Sequence, residues 1–368
     1  MAMSCGVAWW LNRVEGTDMV EVNARRTGPV VQTVEELDDL LTTPSDALIA
    51  DLASLNGDIM VVGSAGKMGP SLAMLGQRAL REIGGGRKVI AVSRFSDAAT
   101  RDKLDAAGVE TIAADLSDPD ALAALPDVPN IVYMLGTKFG TTGREYLTWA
   151  TNVYLAGRVV DRFRESRFTV FSSGNVYPLR PVVLGGADES VAADPVGEYA
   201  QSCLGRERVF EHASHTYGTP VAIFRLNYAI DLRYGVLYDI ASRVHAGKAV
   251  DVSMGSVNVI WQGDANAIAL RTLTLADSPP QILNVTGPEN ISVRWLVDQF
   301  AQRFGAEPAI TGAEASNALL SNASKAFGHF GYPSMPLATM LDLVAGWITA
   351  GGPTLGKPTH FQEREGKF

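Results

Sequence analysis

Ile59-Met60-Val61-Val62-Gly63-Ser64-Ala65-Gly66-Lys67-Met68-Gly69 is the stretch on which the reading of this chain turns. Its first four residues are uniformly apolar, as a strand covered on both faces requires. Glycines follow at 63, 66 and 69, and then Leu72, Leu75, Ala79 and Ile83 recur at helical spacing. Gly84-Gly85-Gly86 stops that helix. A glycine pattern between a strand and a helix is the context in which it binds a dinucleotide. Gly63 permits the tight turn, Gly66 lets the backbone approach a pyrophosphate, and Gly69 lets the helix lie close to the strand. Ser64, Ala65, Lys67 and Met68 complete the turn, and the unpaired N–H groups at the helix start face the phosphates.

Outward from this unit the pattern repeats. Apolar strands read at 88–92, 109–114, 130–135, 168–173 and 220–226, with helical segments near 99–107, 144–164 and 197–214. Strands alternating with helices predict an α/β fold, a doubly wound parallel (Rossmann) sheet with right-handed crossovers. Upstream, 33–41 and 46–55 read as two short helices broken at Pro44-Ser45, giving residues 1–57 a helical extension packed on the main domain. The alternation loosens after Leu226. Segments 178–196, 228–258 and 285–350 hold Pro, Gly and short helices that form a lid over the carboxyl ends of the strands, where ligands bind. The expected organisation is therefore an extension (1–57), a dinucleotide-binding domain (58–227, with 178–196 joining the lobe), a smaller C-terminal substrate-binding lobe (228–350) and an exposed arm (351–368).

Composition narrows the function classes. The 368 residues carry a net charge of −9 and no Lys/Arg-rich run, so neither nucleic acid nor an anionic membrane is the expected partner. No stretch approaches the roughly 20 apolar residues of a membrane helix. The apolar run at 5–11 is short and lacks a basic flank, so residues 1–18 read as an irregular leader with Met19 as an alternative start. Cys5 and Cys203 are too few for a disulfide framework or zinc site and suit a reducing, cytoplasmic setting. His212 and His215 share a helix face with Glu211 but lack a further convergent ligand, so no metal is expected. Trp9, Trp10 and Trp261 read as packing residues.

Phe171-Ser172-Ser173-Gly174-Asn175-Val176-Tyr177 ends the fifth strand, and Tyr199 follows on a helix. With the glycine spacing, this order resembles the extended short-chain dehydrogenase/reductase superfamily, in its NAD(P)-dependent epimerase/dehydratase branch, over residues 58–350. Further signposts fall in sequence. Asp115-Leu116 resembles the family's adenine-contacting segment, Leu135-Gly136-Thr137-Lys138 its loop after the fourth strand, and Asn152 its helix asparagine that props the active site. Asp264 and Asn284 resemble later signposts of the lobe. The resemblance implies that Ser173 anchors a substrate oxygen while Tyr199 gives or takes its proton, and that Leu226, Asn227 and the helix residue four after the tyrosine lie on the cofactor. Gly174, Asn175 and Tyr228 fall on the substrate side. A homodimer through the helices at 144–164 and 197–214 is also implied, with Leu147, Val153 and Leu155 as apolar positions.

Departures from the pattern carry information. The family's lysine four residues after the tyrosine is Cys203 here. A thiol supplies neither the ammonium's charge nor its three donors. Without that cation, a tyrosine near its reference pKa of ~10 is only about 0.1% phenolate at neutral pH. Alcohol oxidation, which needs the phenolate, suffers more than carbonyl reduction. Lys138, or else Lys67, is the candidate replacement, since some epimerases of the family place a lysine at the former position beside the substrate. Val257 stands where nucleotide-sugar enzymes of the family have arginine, and Gly174-Asn175 replaces the dehydratases' Asp-Glu. A small sugar-like substrate without a nucleotide handle is therefore expected. The second strand ends Ser93-Arg94 with no carboxylate until Asp97, which suits a 2′-phosphate, so NADP is preferred and NAD possible. The expected protein is an NAD(P)-dependent oxidoreductase or epimerase; its rival is a catalytically silent NAD(P) sensor or scaffold that kept the fold and lost the lysine.

Overall fold

The computed structural model describes residues 31–139 and 141–367; Cys5, Trp9, Trp10 and Met19 lie outside them. Parallel strands β1 (Ile59–Val62), β2 (Val89–Ser93), β3 (Glu110–Ala113), β4 (Asn130–Tyr133), β5 (Arg167–Ser173), β6 (Val221–Leu226) and β7 (Gln281–Val285) form one sheet. The spatial order is β7-β6-β5-β4-β1-β2-β3. This is the doubly wound order, whose reversal between β1 and β4 opens a crevice at the carboxyl ends. Every side chain of β1 is buried because the sheet is covered on both faces. Ile59 and Val61 pack with Leu72 and Leu75 of α3 (Gly69–Ile83). Met60 and Val62 pack instead with Val159 of α7 (Leu155–Arg162) and Phe210 of α8 (Gly197–Tyr217). The period-two alternation is thus present although no residue of the strand is polar.

The strands and helices expected from the sequence stand within a few residues of their observed bounds, and three features differ. Strand β7 joins the sheet from within the region assigned to the lobe, paired in register with β6 from Gln281 opposite Ala222 to Val285 opposite Leu226. The helix expected over 144–164 is interrupted: α6 (Glu145–Trp149) passes through a π turn (Ala150–Tyr154) into α7. Lastly, the tail, most of whose residues are exposed as an arm, is pinned to the molecule at particular points. Thr359 and Phe361 are buried, and Arg364 donates to the Asn317 carbonyl at 2.9 Å.

The described part of the extension is helical, and its two helices pack on different cores. α1 (Val34–Thr42) opens with a capping box, the Thr33 hydroxyl accepting from the Glu36 N–H and the Glu36 carboxylate from the Thr33 N–H, each at 3.1 Å. α2 (Asp46–Ala53) begins at Ser45. Leu48 and Leu52 of α2 enter the core beneath the sheet, while Leu37 and Leu41 of α1 enter the lobe core. The lobe itself is built on α9 (Val236–His245), α11 (Val293–Phe304) and α13 (Leu337–Thr349) around Phe300 and Trp347, with Trp261 buried beside them as a packing residue. Segment 180–181 pairs antiparallel with 317–318. Among the described residues, no helix is long and apolar enough to cross a membrane.

Candidate active site

Each glycine of the turn can be asked what a side chain would meet there. Gly63 has φ +90°, and a Cβ on it would lie 2.8 Å from the Leu135 nitrogen. A Cβ on Gly69 would lie 2.3 Å from the Ser64 carbonyl oxygen. The fold itself therefore forbids side chains at both. Gly66 is different: its φ lies outside the left-handed region, and its Cβ would meet only the Gly63 carbonyl oxygen at 3.4 Å. No protein atom requires glycine at 66, whereas a pyrophosphate on the turn's N–H groups does. The turn fits a dinucleotide on this ground. Gly66→Ala is expected to change stability by less than about 1 kcal/mol while weakening coenzyme binding about 10- to 100-fold, read by calorimetric titration of NADP and NAD. Unchanged affinity would remove the cradle.

Beyond the turn, the loop after β4 carries Leu135 to Lys138 over the sheet edge. Asn152 fixes it. From the π turn its Oδ1 accepts the Thr137 N–H at 2.7 Å, and its Nδ2 donates to the Thr137 carbonyl at 3.0 Å and to Ser202 Oγ at 2.8 Å. A π turn is a common device for aiming a side chain at a functional site. Ser173 ends β5, its Oγ 2.9 Å from Asn175 Oδ1 and accepting the Asn175 N–H at 3.1 Å. Tyr199 lies in the first turn of α8, with its phenol facing both Ser173 and Cys203. Burial drives the phenol pKa well above its ordinary value, and Cys203 adds to this while Arg206 and Ser173 oppose it. The buried Cys203 thiol is likewise pushed up by burial first.

The ammonium of Lys138 stands 5.3 Å from the centre of the Tyr199 ring, and burial lowers its pKa to about 8. Arg206, not singled out from the sequence, is a second cation here. Its guanidinium donates to the Phe171 carbonyl at 2.7 Å and to the Asn152 carbonyl at 3.2 Å. Spaced three residues after Cys203 on one helix face, it was discoverable by asking where the next cation on α8 falls. Below these groups lies a buried network. Arg225 grips Glu207 through two bonds, 2.9 and 2.6 Å, and donates to the Tyr177 hydroxyl at 2.7 Å.

These residues wall a cavity of about 750 Å³, within the range of small-molecule sites. Gly63, Gly66, Lys67, Met68 and Gly69 line it from the turn, with Gly136, Thr137 and Lys138 from the next loop, and Ser173, Asn175, Tyr199, Leu226, Asn227 and Tyr228 opposite. Ser64 and Ala65 sit in the turn behind. Ser93 and Arg94 stand at the end of β2, outside the cavity, where Arg94 faces Asp115. Asp115 accepts from the Ser117 N–H and hydroxyl, which hold its carboxyl below the usual range, and Leu116 is buried beside it. Other expected residues are not aimed at the cavity. Asn227 lines it with its backbone, while its amide donates to Asn258 at 2.9 Å. Gly174 is crowded by Asn227 and Ser321. Asp264 instead holds the 334–335 loop, accepting from Ser334 Oγ at 2.7 Å, and the buried Asn284 accepts from the Tyr177 hydroxyl at 2.9 Å. Residues unforeseen as lining are Tyr234 and the arm residues Gly356, Lys357, Pro358, Thr359 and His360.

The NAD dependent epimerase/dehydratase family model matches residues 59–258, and the chain belongs to that family. Among solved structures, a UDP-glucuronic acid 4-epimerase from Bacillus cereus in complex with NAD is similar at 15% identity, over 79% of this chain and 98% of that one, with a TM-score of 0.66. A UDP-glucose 4-epimerase from Thermotoga maritima with UDP-glucose matches at 16% identity, over 80% and 99%, with a TM-score of 0.65. The UDP-glucose 4-epimerase of Thermus thermophilus, in complex with NAD, matches at 17%, over 78% and 97%, with a TM-score of 0.65. At these identities the likeness is one of fold. No curated protein matches the chain.

Proposed function

We propose that this protein is an NAD(P)-dependent oxidoreductase or epimerase acting at a hydroxyl or carbonyl carbon of a small polar, sugar-like substrate. The convergence of Ser173, Tyr199 and Lys138 on one cavity beside the glycine turn carries this reading. When bound, the nicotinamide supplies or takes up the hydride. Ser173 Oγ holds the substrate oxygen, and the Tyr199 hydroxyl passes a proton at that oxygen. Because burial and Cys203 keep the phenol protonated, the site favours acid catalysis, hence carbonyl reduction, over base catalysis. Asn152 positions the loop that carries Lys138, and Lys138 with Arg206 supplies the positive field that the lysine at position 203 would have given.

Two substitutions separate that account from its rival, a silent NAD(P) binder favoured by the burial of Cys203 against the tyrosine. In a panel of carbonyls and alcohols followed by reduced-nicotinamide absorbance, Lys138→Met is expected to cost about 10-fold or more in kcat, and Cys203→Ser less than about 3-fold. Equal small effects would dismiss Lys138, and no turnover of any substrate with coenzyme bound would favour the silent binder.

For the coenzyme, Ser93-Arg94 at the end of β2 supports NADP over the NAD named for the similar structures; the ratio of the two dissociation constants tests it. The similar structures are UDP-sugar epimerases, against a substrate lacking a nucleotide. What supports the smaller substrate here is the buried Val257 at the position where an arginine would grip a diphosphate, and the tail segment that walls the cavity. A two-lobed division at 58–227 and 228–350 and a cytoplasmic homodimer belong to the same proposal. Tyr146, Leu147, Trp149 and Tyr154 form an exposed apolar face on α6 and the π turn that suits the dimer, whereas Leu155 packs into the sheet core and Val153 against Gly205.

A further inference from the structure

The tail returns across the cleft and is fastened on both banks. On the lobe side the Leu355 N–H donates to the Arg233 carbonyl at 3.1 Å, and Thr359 donates through its N–H (2.7 Å) and hydroxyl (2.5 Å) to Asp239. Phe361 is buried in the lobe core, Arg364 binds Asn317, and Gly366 abuts Val196 and Gly197 at the start of the Tyr199 helix. Between these fastenings, Lys357 and His360 face the cavity, with the His360 ring 5.6 Å from that of Phe139.

Lys67 reaches the same place from the glycine turn. Its ammonium stands 3.3 Å from the centre of the Tyr234 ring, on the lobe side, and 5.5 Å from that of Phe139; the ammonium of Lys138 lies 5.2 Å from the Phe139 ring. Among the described residues, neither Lys67 nor Lys357 has a carboxylate partner within ion-pair distance. The carboxylate facing Lys67 from α9, Asp239, is engaged by Thr359. Like charges gathered in a partly dry cavity repel, and an anion between them relieves that repulsion. The Lys67 pKa is lowered to about 7, by burial first and then by Lys357 and Lys138, against a smaller opposing effect of Asp239.

We infer that Lys357 of the C-terminal arm and Lys67 of the glycine turn form an anion subsite that takes a carboxylate or phosphate group of the substrate. The inference rests on the proposed coenzyme site and deepens it. The subsite belongs to the substrate and not to the coenzyme's pyrophosphate because Lys67 leaves the turn's N–H groups and crosses to Tyr234. Of its other neighbours, Lys357 and Asp239 stand on the tail and lobe, while Phe139 and Lys138 lie on the loop after β4.

Inorganic phosphate and acetate are the probes, titrated calorimetrically into protein already saturated with NADP. Phosphate is expected to bind, and Lys357→Met and Lys67→Met each to weaken it about 10-fold, with Lys248→Met, an exposed lysine of the lobe, as the unchanged control. Acetate binding with the same lysine dependence extends the subsite to carboxylates; phosphate alone restricts it to phosphate esters. Lys357 is exposed on the tail, so its replacement leaves the fold intact, which a thermal melt verifies. Phosphate binding insensitive to both substitutions overturns the inference. So does phosphate binding that vanishes once NADP is bound, which would assign the lysines to the coenzyme. Failure of NADP and NAD to bind while Lys357-dependent phosphate binding persists would instead sink the coenzyme reading and leave the subsite standing.

Discussion

Tyr199→Phe is expected to lower turnover about 10³-fold, the usual scale for removing a positioned proton donor, while coenzyme affinity moves less than about 2-fold. The substitution deletes one oxygen and leaves the ring, whose packing beside Lys138 is unaffected. The phenol oxygen faces Cys203 and Ser173, so a modest stability change accompanies the kinetic one. The pH profile is part of the same expectation. A phenol whose folded pKa is raised stays protonated across the physiological range. Carbonyl reduction by the wild type therefore stays level from about pH 6 until Lys138, whose pKa is lowered to about 8, begins to lose its proton, and alcohol oxidation climbs about 10-fold per pH unit over the same range. Turnover by the phenylalanine variant within 10-fold of wild type would remove Tyr199 from the mechanism.

Glu207→Ala is expected to cost about 3–5 kcal/mol of stability, because it strands the Arg225 guanidinium in a dry interior. Glu207 is fully buried, and its carboxylate accepts both Arg225 bonds together with the Ser172 hydroxyl at 2.5 Å. That network ties α8 to the ends of β5 and β6 directly beneath Ser173 and Tyr199. Replacing both partners, Glu207→Leu with Arg225→Met, is expected to recover most of the loss, since an apolar pair of similar volume avoids the uncompensated charge. Urea unfolding of the single and double variants checks this. A single variant less than about 1 kcal/mol below wild type would show that the pair does not hold the helix to the sheet.

Much of the fold was legible because a buried parallel strand and an amphipathic helix each leave a local signature. Ile59 to Val62, the glycine turn and the Leu72–Ile83 periodicity fixed the first unit, and repetition of that unit fixed the sheet. Strand β7 escaped because Gln281 and Asn284 interrupt its apolar run, and its partner β6 lies far upstream. The break in the 144–164 helix escaped because Ala150 to Tyr154 hold no proline or glycine; packing of Asn152 against Thr137 and Ser202 sustains the π turn instead. In the site, Ser173, Tyr199, Lys138 and Asn152 were picked out by their order along the chain, and the proposed mechanism rests on them. Asp264 and Asn284 were found the same way and prove to brace the structure.

The sequence alone determined that a doubly wound sheet presents a glycine turn, a serine and a tyrosine at one edge, since each of these depends on neighbours a few residues away. Only the tertiary structure decided which cations meet the tyrosine and what closes the cleft. Arg206 turns inward because two carbonyls accept its guanidinium, and the tail crosses the site because Thr359 finds Asp239. Contacts of that kind join residues remote in the chain and leave no periodicity in it, so no local pattern reports them.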